Sequence, residues 1–316
     1  MASLRADPRE AVGRESGNAH DALPKRRVHE ITWLLKVARP GFWLTSIWFY
    51  LLPVGGRVVW NSWTFWLGLF YITMPLGLLI YGWNDAGDFE NDRGNPRKDT
   101  FLFGARPTAA QIAELPRWIA STQIPFVLVF AFLLGAKSFW WWAALVAATV
   151  TYNAPRVGTK GWPGVDLLNQ TAYLLVFVLS SWLNDVPQLP WFTFVFGALF
   201  AIHSHLFGEI MDHQPDLAAG RRTTAGVLGM IPAKFLLASL LLSEALLIWS
   251  CTRDPWISVA LALGAGFFVL DGAVLWRARP YTNQQMRFAF LGWNAVALTS
   301  IPWVWRTATL AKSAGG

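Results

Sequence analysis

The stretch TFWLGLFYITMPLGLLIYGW, residues 64–83, runs directly into NDAGDFEND, residues 84–92. The first twenty residues contain no charged side chain, and about twenty predominantly apolar residues cross the hydrocarbon core of a bilayer as a helix. The next nine residues include four acids. This part of the chain therefore predicts a transmembrane helix that ends, at one membrane face, in a cluster of carboxylates.

The composition of the whole chain is that of a membrane protein. Of its 316 residues, 54% are hydrophobic and 14% are charged, compared with about 25% charged in soluble domains. We predict an all-α fold, a polytopic membrane protein with nine transmembrane helices in a bundle around a cytosol-facing cavity. The nine apolar segments lie near residues 41–60, 64–83, 118–136, 138–154, 165–184, 190–210, 229–251, 255–276 and 286–306.

The domain organisation follows from these segments. Residues 1–30 are polar and carry both charge signs, which predicts a disordered cytosolic tail, and residues 31–310 form the transmembrane domain. Cys251 is the one cysteine, which excludes a disulfide framework and any cysteine-based metal site.

The distribution of basic residues predicts the orientation. When the connections between the nine segments are counted alternately, 21 of the 26 Lys and Arg residues fall on the side of the N-terminus. Because cytoplasmic loops are enriched in Lys and Arg, we expect the N-terminus of this multi-pass protein in the cytosol. The same asymmetry accounts for the net charge of +7, so membrane lipid is an expected partner and nucleic acid is not.

The first acidic cluster has the spacing of a metal site. In a continuous helix, Asp85, Asp88 and Asp92 lie at i, i+3 and i+7 and share one face. Carboxylates this close repel one another, and a divalent cation removes the conflict. Magnesium prefers hard oxygen ligands and often joins a few carboxylates to substrate phosphates. We therefore predict three Mg2+ ligands here, with Asn84 as a diphosphate-binding neighbour.

A second cluster follows the sixth apolar segment. Asp212 and Asp216 lie at i, i+4, and the nine-segment count puts them at the same face as the first cluster. The two clusters are predicted to hold Mg2+ and a substrate diphosphate between them, with Asp85, Asp88 and Asp212 acting in catalysis. Since Arg and Lys bind phosphate oxygens, the predicted diphosphate-binding bases are Arg39, Arg97, Lys98, Arg156, Lys160 and Arg222.

Aromatic side chains are abundant beside these clusters. Loss of diphosphate from an allylic carbon leaves a carbocation, which the face of an aromatic ring stabilises. The aromatic residues predicted for this role are Trp83, Phe89, Tyr152 and Tyr173. Tyr152 and His205 are also candidates for a direct catalytic role.

These motifs resemble those of the UbiA superfamily of intramembrane prenyltransferases. Asn84-Asp85-x-x-Asp88-x-x-x-Asp92 is similar to the first family signature, and Asp212-x-x-x-Asp216, followed by Thr223-Thr224-Ala225, is similar to the second. The family's YxxxK element has Tyr152 and Arg156 here, with Lys160 as an alternative for its lysine. The surroundings of residues 95–98 and of Asp212 are most similar to the lycopene-elongase-like, bacterial branch, and this resemblance implies a location in a bacterial inner membrane.

The resemblance implies Mg2+-dependent ionisation of a prenyl diphosphate and transfer of the prenyl group to a hydrophobic acceptor, whose identity it leaves open. One alternative is a terpene cyclase of the same family, which acts on a prenyl diphosphate alone and uses the same diphosphate motifs. A second alternative is a polytopic transporter with an acidic cation site. The very short connections on the outer face argue against the transporter.

Overall fold

The computed structural model describes residues 28–92, 94–154 and 157–312. Within these ranges the chain forms helices and connecting turns and no strand, which confirms the all-α prediction. Two short 3-10 segments, Thr159–Gly161 and Asn169–Leu174, accompany the α-helices. The α-helices are α1 (28–37), α2 (Pro40–Leu51), α3 (Trp63–Tyr71), α4 (Met74–Gly87), α5 (Phe89–Asp92), α6 (Ala109–Leu134), α7 (Ala136–Asn153), α8 (Val165–Leu168), α9 (Leu175–Leu183), α10 (Trp191–Met211), α11 (His213–Ala218), α12 (Thr224–Leu228), α13 (Met230–Thr252), α14 (Pro255–Ala273) and α15 (Asn283–Thr307).

Six helical segments of the described chain are long and apolar enough to cross a membrane. They are α3 with α4 as one span, α6, α10, α13, α14 and α15. The other three predicted segments correspond to α2, α7 and the stretch from α8 to α9, which do not meet the same criterion. In particular, α2 has only 12 residues because the chain turns after Leu51. The count of nine therefore remains a prediction, and most of the predicted tail, residues 1–27, lies outside the described residues.

Local capping signals set helix starts that hydrophobicity alone places too late. Helix α6 begins at Ala109, nine residues before the predicted apolar segment, because Thr108 and Gln111 form a capping box. Thr282 and Gln285 form the same box at the start of α15. In a capping box the two side chains satisfy backbone N–H groups that the first turn of a helix leaves unpaired.

The core is rich in aromatic residues, and so is the outer surface. Trp141, Tyr50 and Phe130 are buried between helices, whereas Phe132 and Trp140 are 87% and 68% exposed. A bilayer is the solvent that accommodates such an apolar exterior. Helix α13 packs against α10 and α14, and α15 packs against α2, which leaves a cavity among these helices.

Close backbone packing places Arg39 at the mouth of this cavity. A Cβ atom on Gly77 of α4 would lie 2.5 Å from the carbonyl oxygen of Ala38, so glycine allows the chain to pass next to α4. A Cβ on Gly104 would lie 2.8 Å from Nε of Arg39. Arg39 itself has a left-handed backbone, with φ 50°, a conformation that non-glycine residues adopt only when surrounding contacts hold it.

Candidate functional site

The acidic motifs meet at one end of a cavity of about 520 Å³. Asp88 and Asp92 from the first motif and Asp212 and Asp216 from the second line it. Its opposite end is lined by apolar and aromatic side chains of α2, α10, α14 and α15. The cavity therefore has a charged end and an aromatic end.

The two motifs have the same local structure. Helix α4 ends at Gly87, Asp88 follows with φ −101° and ψ 6°, and the short helix α5 continues the chain. Helix α10 ends at Met211, Asp212 follows with φ −92° and ψ 5°, and the short helix α11 continues. Each motif thus places an aspartate at the junction between a long helix and a short one, facing the cavity.

Basic side chains pair with the first motif. Arg39 Nη2 donates to Asp85 Oδ1 at 2.6 Å, and Lys98 Nζ lies 2.9 Å from the same oxygen and 2.7 Å from Asp92 Oδ2. Lys160 Nζ donates to Asp88 Oδ1 at 2.6 Å. Lys160, one of the two bases predicted for the YxxxK lysine, thus contacts the first motif and lines the cavity. The other, Arg156, lies outside the described residues.

Two arginines contact the second motif, and one of them also contacts the first. Arg221 lies 2.5 Å from Asp88 Oδ1 and 3.5 Å from Asp216 Oδ1, so one guanidinium bridges both motifs. Arg97 forms an ion pair with Asp212, and Asn95 Nδ2 donates to the same carboxylate at 3.2 Å. The charges of the two motifs are thus balanced by bases within the cavity.

The chain is similar in sequence to several known proteins and similar in fold to a solved structure. No protein-family model matches the chain. The chain is 27% identical over 267 residues to a lycopene elongase/hydratase of Corynebacterium glutamicum, covering 82% of this chain and 90% of the relative. It is 30% identical over 209 residues to the lycopene elongase/hydratase of Haloarcula japonica, covering 62% of this chain and 67% of the relative. A solved UbiA homolog from Archaeoglobus fulgidus, bound to GPP and Mg2+, superposes with a TM-score of 0.65 at 16% identity, over 88% of this chain and 99% of that one.

The chain belongs to the UbiA superfamily of intramembrane prenyltransferases. Its relatives place it in the lycopene-elongase-like branch, as the motifs predicted. The fold comparison adds that the bundle is the UbiA fold. The bundle is therefore that of a UbiA-type prenyltransferase.

One predicted base of this UbiA-type site needs correction. Arg222 is exposed and does not line the cavity, whereas its neighbour Arg221 does. Thr223 caps the next helix, α12, and this fixes which of the two consecutive arginines faces inward. Asp85 is 1% exposed and does not itself line the cavity, but Lys98, which contacts it, does.

The carboxylates fit Mg2+ by their chemistry. They offer hard oxygen ligands, and the buried Oδ2 of Asp85 has no hydrogen-bond partner among the described residues. In the described part of the chain, no three acidic or histidine side chains converge on one point. Lys98 and Arg221 each stand between two carboxylates here. A cation would have to displace these bases, which would then be available to phosphate oxygens.

The electrostatics of the charged end favour a cation. Burial, reinforced by the nearby Asp212, raises the pKa of Asp216 to about 7, although Arg221 opposes the shift. Burial also raises the pKa of Asp92 despite its contact with Lys98. Both carboxylates are largely buried, and a bound divalent cation would offset the desolvation that raises their pKa values despite the neighbouring bases.

Tyr152 and His205 both line the cavity and contact each other. The Tyr152 hydroxyl lies 3.2 Å from His205 Nε2, and Glu209 Oε1 lies 3.4 Å from the same nitrogen. Glu209 also accepts from the backbone N–H of Ala225 at 2.9 Å. Part of the role of Glu209 is therefore to hold the Thr-Thr-Ala stretch against α10.

Asp166 fixes the same stretch from another side. Its carboxylate accepts from Thr224 N at 2.8 Å, from Thr224 Oγ1 at 2.5 Å and from Leu167 N at 2.8 Å. Asp166 is fully buried. These contacts join the start of α8 to α12 and thereby fix the segment that follows Arg221.

The aromatic residues of the site are mostly not those the sequence indicated. Tyr152 and Tyr173 line the cavity, and the Tyr173 hydroxyl lies 2.8 Å from that of Tyr81. Trp83 is 46% exposed, and neither it nor Phe89 lines the cavity. At the aromatic end Phe49, Phe200 and Trp293 pack together, and the cavity wall also includes Phe42, Phe267 and Phe290. Spacing along one helix could not identify them, because they come from four helices.

Proposed function

We propose that this protein transfers a short prenyl group from its diphosphate to a lipophilic polyene of the carotenoid class, in a Mg2+-dependent reaction within a bacterial inner membrane. The N-terminus and the charged end of the cavity face the cytosol in this proposal. One observation carries it: two aspartate motifs and five basic side chains share one end of a cavity whose other end is aromatic. The named activities of the relatives support the acceptor class.

In this proposal the residues at the charged end have two roles, metal binding and phosphate binding. Asp85, Asp88, Asp92, Asp212 and Asp216 would hold magnesium ions, which when bound supply charge stabilisation for the leaving diphosphate. Lys98, Lys160 and Arg221, freed from their carboxylates, would bind the phosphate oxygens, and Asn84 lies beside them. Bidentate contacts from Arg suit this role. The solved structures of the Archaeoglobus fulgidus homolog with GPP or DMAPP and Mg2+ support this ligand class.

The aromatic end would receive the prenyl group and the acceptor. Phe49, Phe200 and Trp293 line a region without the charged residues of the mouth. A carbocation held against such rings is stabilised by about 0.5–2 kcal/mol per ring, and a dry cavity protects it from water. The acceptor's double bond then attacks the allylic carbon of the prenyl group.

The test uses purified protein in lipid nanodiscs with Mg2+, dimethylallyl diphosphate and lycopene. We expect inorganic diphosphate release together with products whose masses increase by one or two prenyl groups. Release of a cyclic or acyclic hydrocarbon from a longer prenyl diphosphate, with no acceptor needed, would favour the terpene cyclase. The absence of diphosphate release from any prenyl diphosphate would contradict both reactions and leave the transporter.

A further inference from the structure

A histidine and a glutamate form a pair deep within the bundle, away from both aspartate motifs. His203 Nδ1 on α10 lies 2.5 Å from Glu244 Oε1 on α13. Glu244 is fully buried, and His203 is 4% exposed. Both residues belong to membrane-spanning helices, where ionisable side chains are costly and are commonly retained for function.

The pair lies at the aromatic end of the cavity. His203 lines the cavity, and its ring packs edge-on against Phe200 and Trp293, with centroids 5.0 and 5.4 Å away. Because Glu244 engages Nδ1, Nε2 is the ring nitrogen that can meet a ligand. His203 precedes Asp212 by nine residues, about 14 Å along the helix. The pair thus lies beyond the diphosphate, on the side where an acceptor would bind.

We propose that Nε2 of His203 is the base that removes a proton from the acceptor after prenyl transfer, and that Glu244 is its positioning residue. This inference rests on the proposed function for the identity of the acceptor. The prenyl C1 forms a bond to one carbon of the acceptor's double bond, and the positive charge moves to the neighbouring carbon. An adjacent C–H bond then breaks, its electrons form a new double bond, and the proton goes to Nε2.

The charge of the pair suits this step. With Glu244 ionised and His203 neutral, the pair carries one negative charge close to the aromatic walls, which favours a carbocation there. Accepting the proton makes the pair neutral overall, because the imidazolium is compensated by the carboxylate. The buried Oε2 of Glu244 has no hydrogen-bond partner within the described residues. A carboxylate kept only for structural support would be expected to have both oxygens satisfied.

His205, two residues later on α10, serves the cavity differently. Residues two apart on a helix point in different directions, and His205 contacts Tyr152 and Glu209. Glu209 in turn holds the backbone of Ala225. His205 is therefore tied to the charged end, whereas His203 is surrounded by the rings that would hold the cation.

A second buried ion pair provides the matched control. Lys234 on α13 lies 2.9 Å from Asp271 on α14, and both side chains are fully buried. Neither residue lines the cavity. A change in this pair perturbs α13, the helix that also carries Glu244, at residues that do not line the cavity.

The experiment compares His203→Gln, Glu244→Gln and Asp271→Asn with the wild type in nanodiscs containing lycopene, dimethylallyl diphosphate and Mg2+. It measures diphosphate release and product masses in the same reaction. For His203→Gln we expect diphosphate release to continue while the alkene product falls roughly 100-fold, the scale of general-base catalysis. Products that carry an added water should increase correspondingly. Glu244→Gln, which keeps an acceptor for Nδ1, should show the same shift more weakly.

Asp271→Asn should keep the wild-type ratio of alkene product to diphosphate per folded molecule. A wild-type ratio in His203→Gln or, if that variant does not fold, in Glu244→Gln would overturn the base assignment. If the wild type released diphosphate but prenylated no polyene, the proposed function would fail. The base assignment would then still predict a change in the hydrocarbon-to-alcohol ratio formed from the prenyl diphosphate alone, and an unchanged ratio would overturn it.

Discussion

The two ends of the cavity are lined by different kinds of residue and serve different steps of the proposed reaction. At the charged end, Asp88 alone contacts both Lys160 and Arg221, and every aspartate of the two motifs is paired with a base. At the aromatic end the ionisable groups among the described residues are His203 and its partner Glu244, and aromatic rings form most of the wall. The difference indicates that one end binds and releases the diphosphate, while the other controls the fate of the hydrocarbon cation. Substitutions at the two ends should therefore fail in different ways.

The largest effect is expected from Asp88→Asn at the charged end. This change removes the carboxylate that both Lys160 and Arg221 contact and a predicted metal ligand, so kcat should fall roughly 10³-fold. Diphosphate release and prenyl transfer should be lost together. The matched control is Asp99→Asn, on the neighbouring loop, where the acid is 59% exposed and pairs with Lys36. The backbone of Asp99 is left-handed, with φ 69°, and asparagine tolerates this conformation, so activity should stay within about twofold.

A smaller effect is expected at the neighbouring arginines. Arg221→Gln should raise the KM for the prenyl diphosphate about 10- to 100-fold, because hydrogen bonds to charged groups contribute about 1.5–3 kcal/mol. Arg222→Gln should leave KM nearly unchanged, since its side chain is exposed outside the cavity. Steady-state kinetics on both variants measure this contrast. Equal effects of the two substitutions on KM would contradict the observed arrangement, in which Arg221 lines the cavity and Arg222 is exposed.

This contrast shows where sequence reasoning reaches its limit. The aspartate motifs were identifiable because their spacing at helix ends reports their position directly. Arg221 and Arg222 are adjacent, and only the three-dimensional start of α12 at Thr223 determines which one faces inward. The sequence likewise leaves Arg156 and Lys160 as alternatives, because both follow Tyr152 closely and spacing alone does not choose between them.

The metal requirement should depend on pH through Asp216. Its pKa is raised to about 7, so protons compete with a cation below that pH and leave the carboxylate free above it. The Mg2+ concentration needed for half-maximal activity should therefore fall about tenfold between pH 6 and pH 8. Magnesium titrations at both pH values test this. In Asp216→Asn the remaining activity should lose most of that dependence.

At the aromatic end the effect on rate should be smaller and the effect on products larger. Trp293→Leu removes a ring from the cavity wall, and a lost cation–π contact of about 1 kcal/mol lowers the transfer rate about fivefold. Water-captured products should increase while diphosphate release continues. Trp83→Leu is the control, because Trp83 is exposed on the outside of the bundle. A similar product shift in Trp83→Leu would contradict the division between the two ends.

The aromatic end is also the part of the site that is hardest to predict from the sequence. With 20 Trp and 22 Phe in the chain, abundance alone does not separate cavity walls from lipid-facing rings. Trp83 and Phe89 are close to the aspartates in sequence, yet neither lines the cavity, whereas Phe49, Phe200 and Trp293, from three other helices, do. The pairing of His203 with Glu244, 41 residues apart on two helices, leaves no motif in either helix. Helix starts were misplaced for a related reason, since the polar capping box at Thr108 begins α6 before its apolar part.

The central claim is that the two aspartate motifs bind a prenyl diphosphate together with Mg2+. The most direct test is calorimetric titration of the purified protein with a thiolo analogue of dimethylallyl diphosphate, in which sulfur replaces the bridging oxygen and prevents ionisation. We predict binding in Mg2+, loss of binding in EDTA, and loss of binding by Asp88→Asn in either buffer. Equal affinity in Mg2+ and EDTA, or undiminished binding by Asp88→Asn, would contradict the claim.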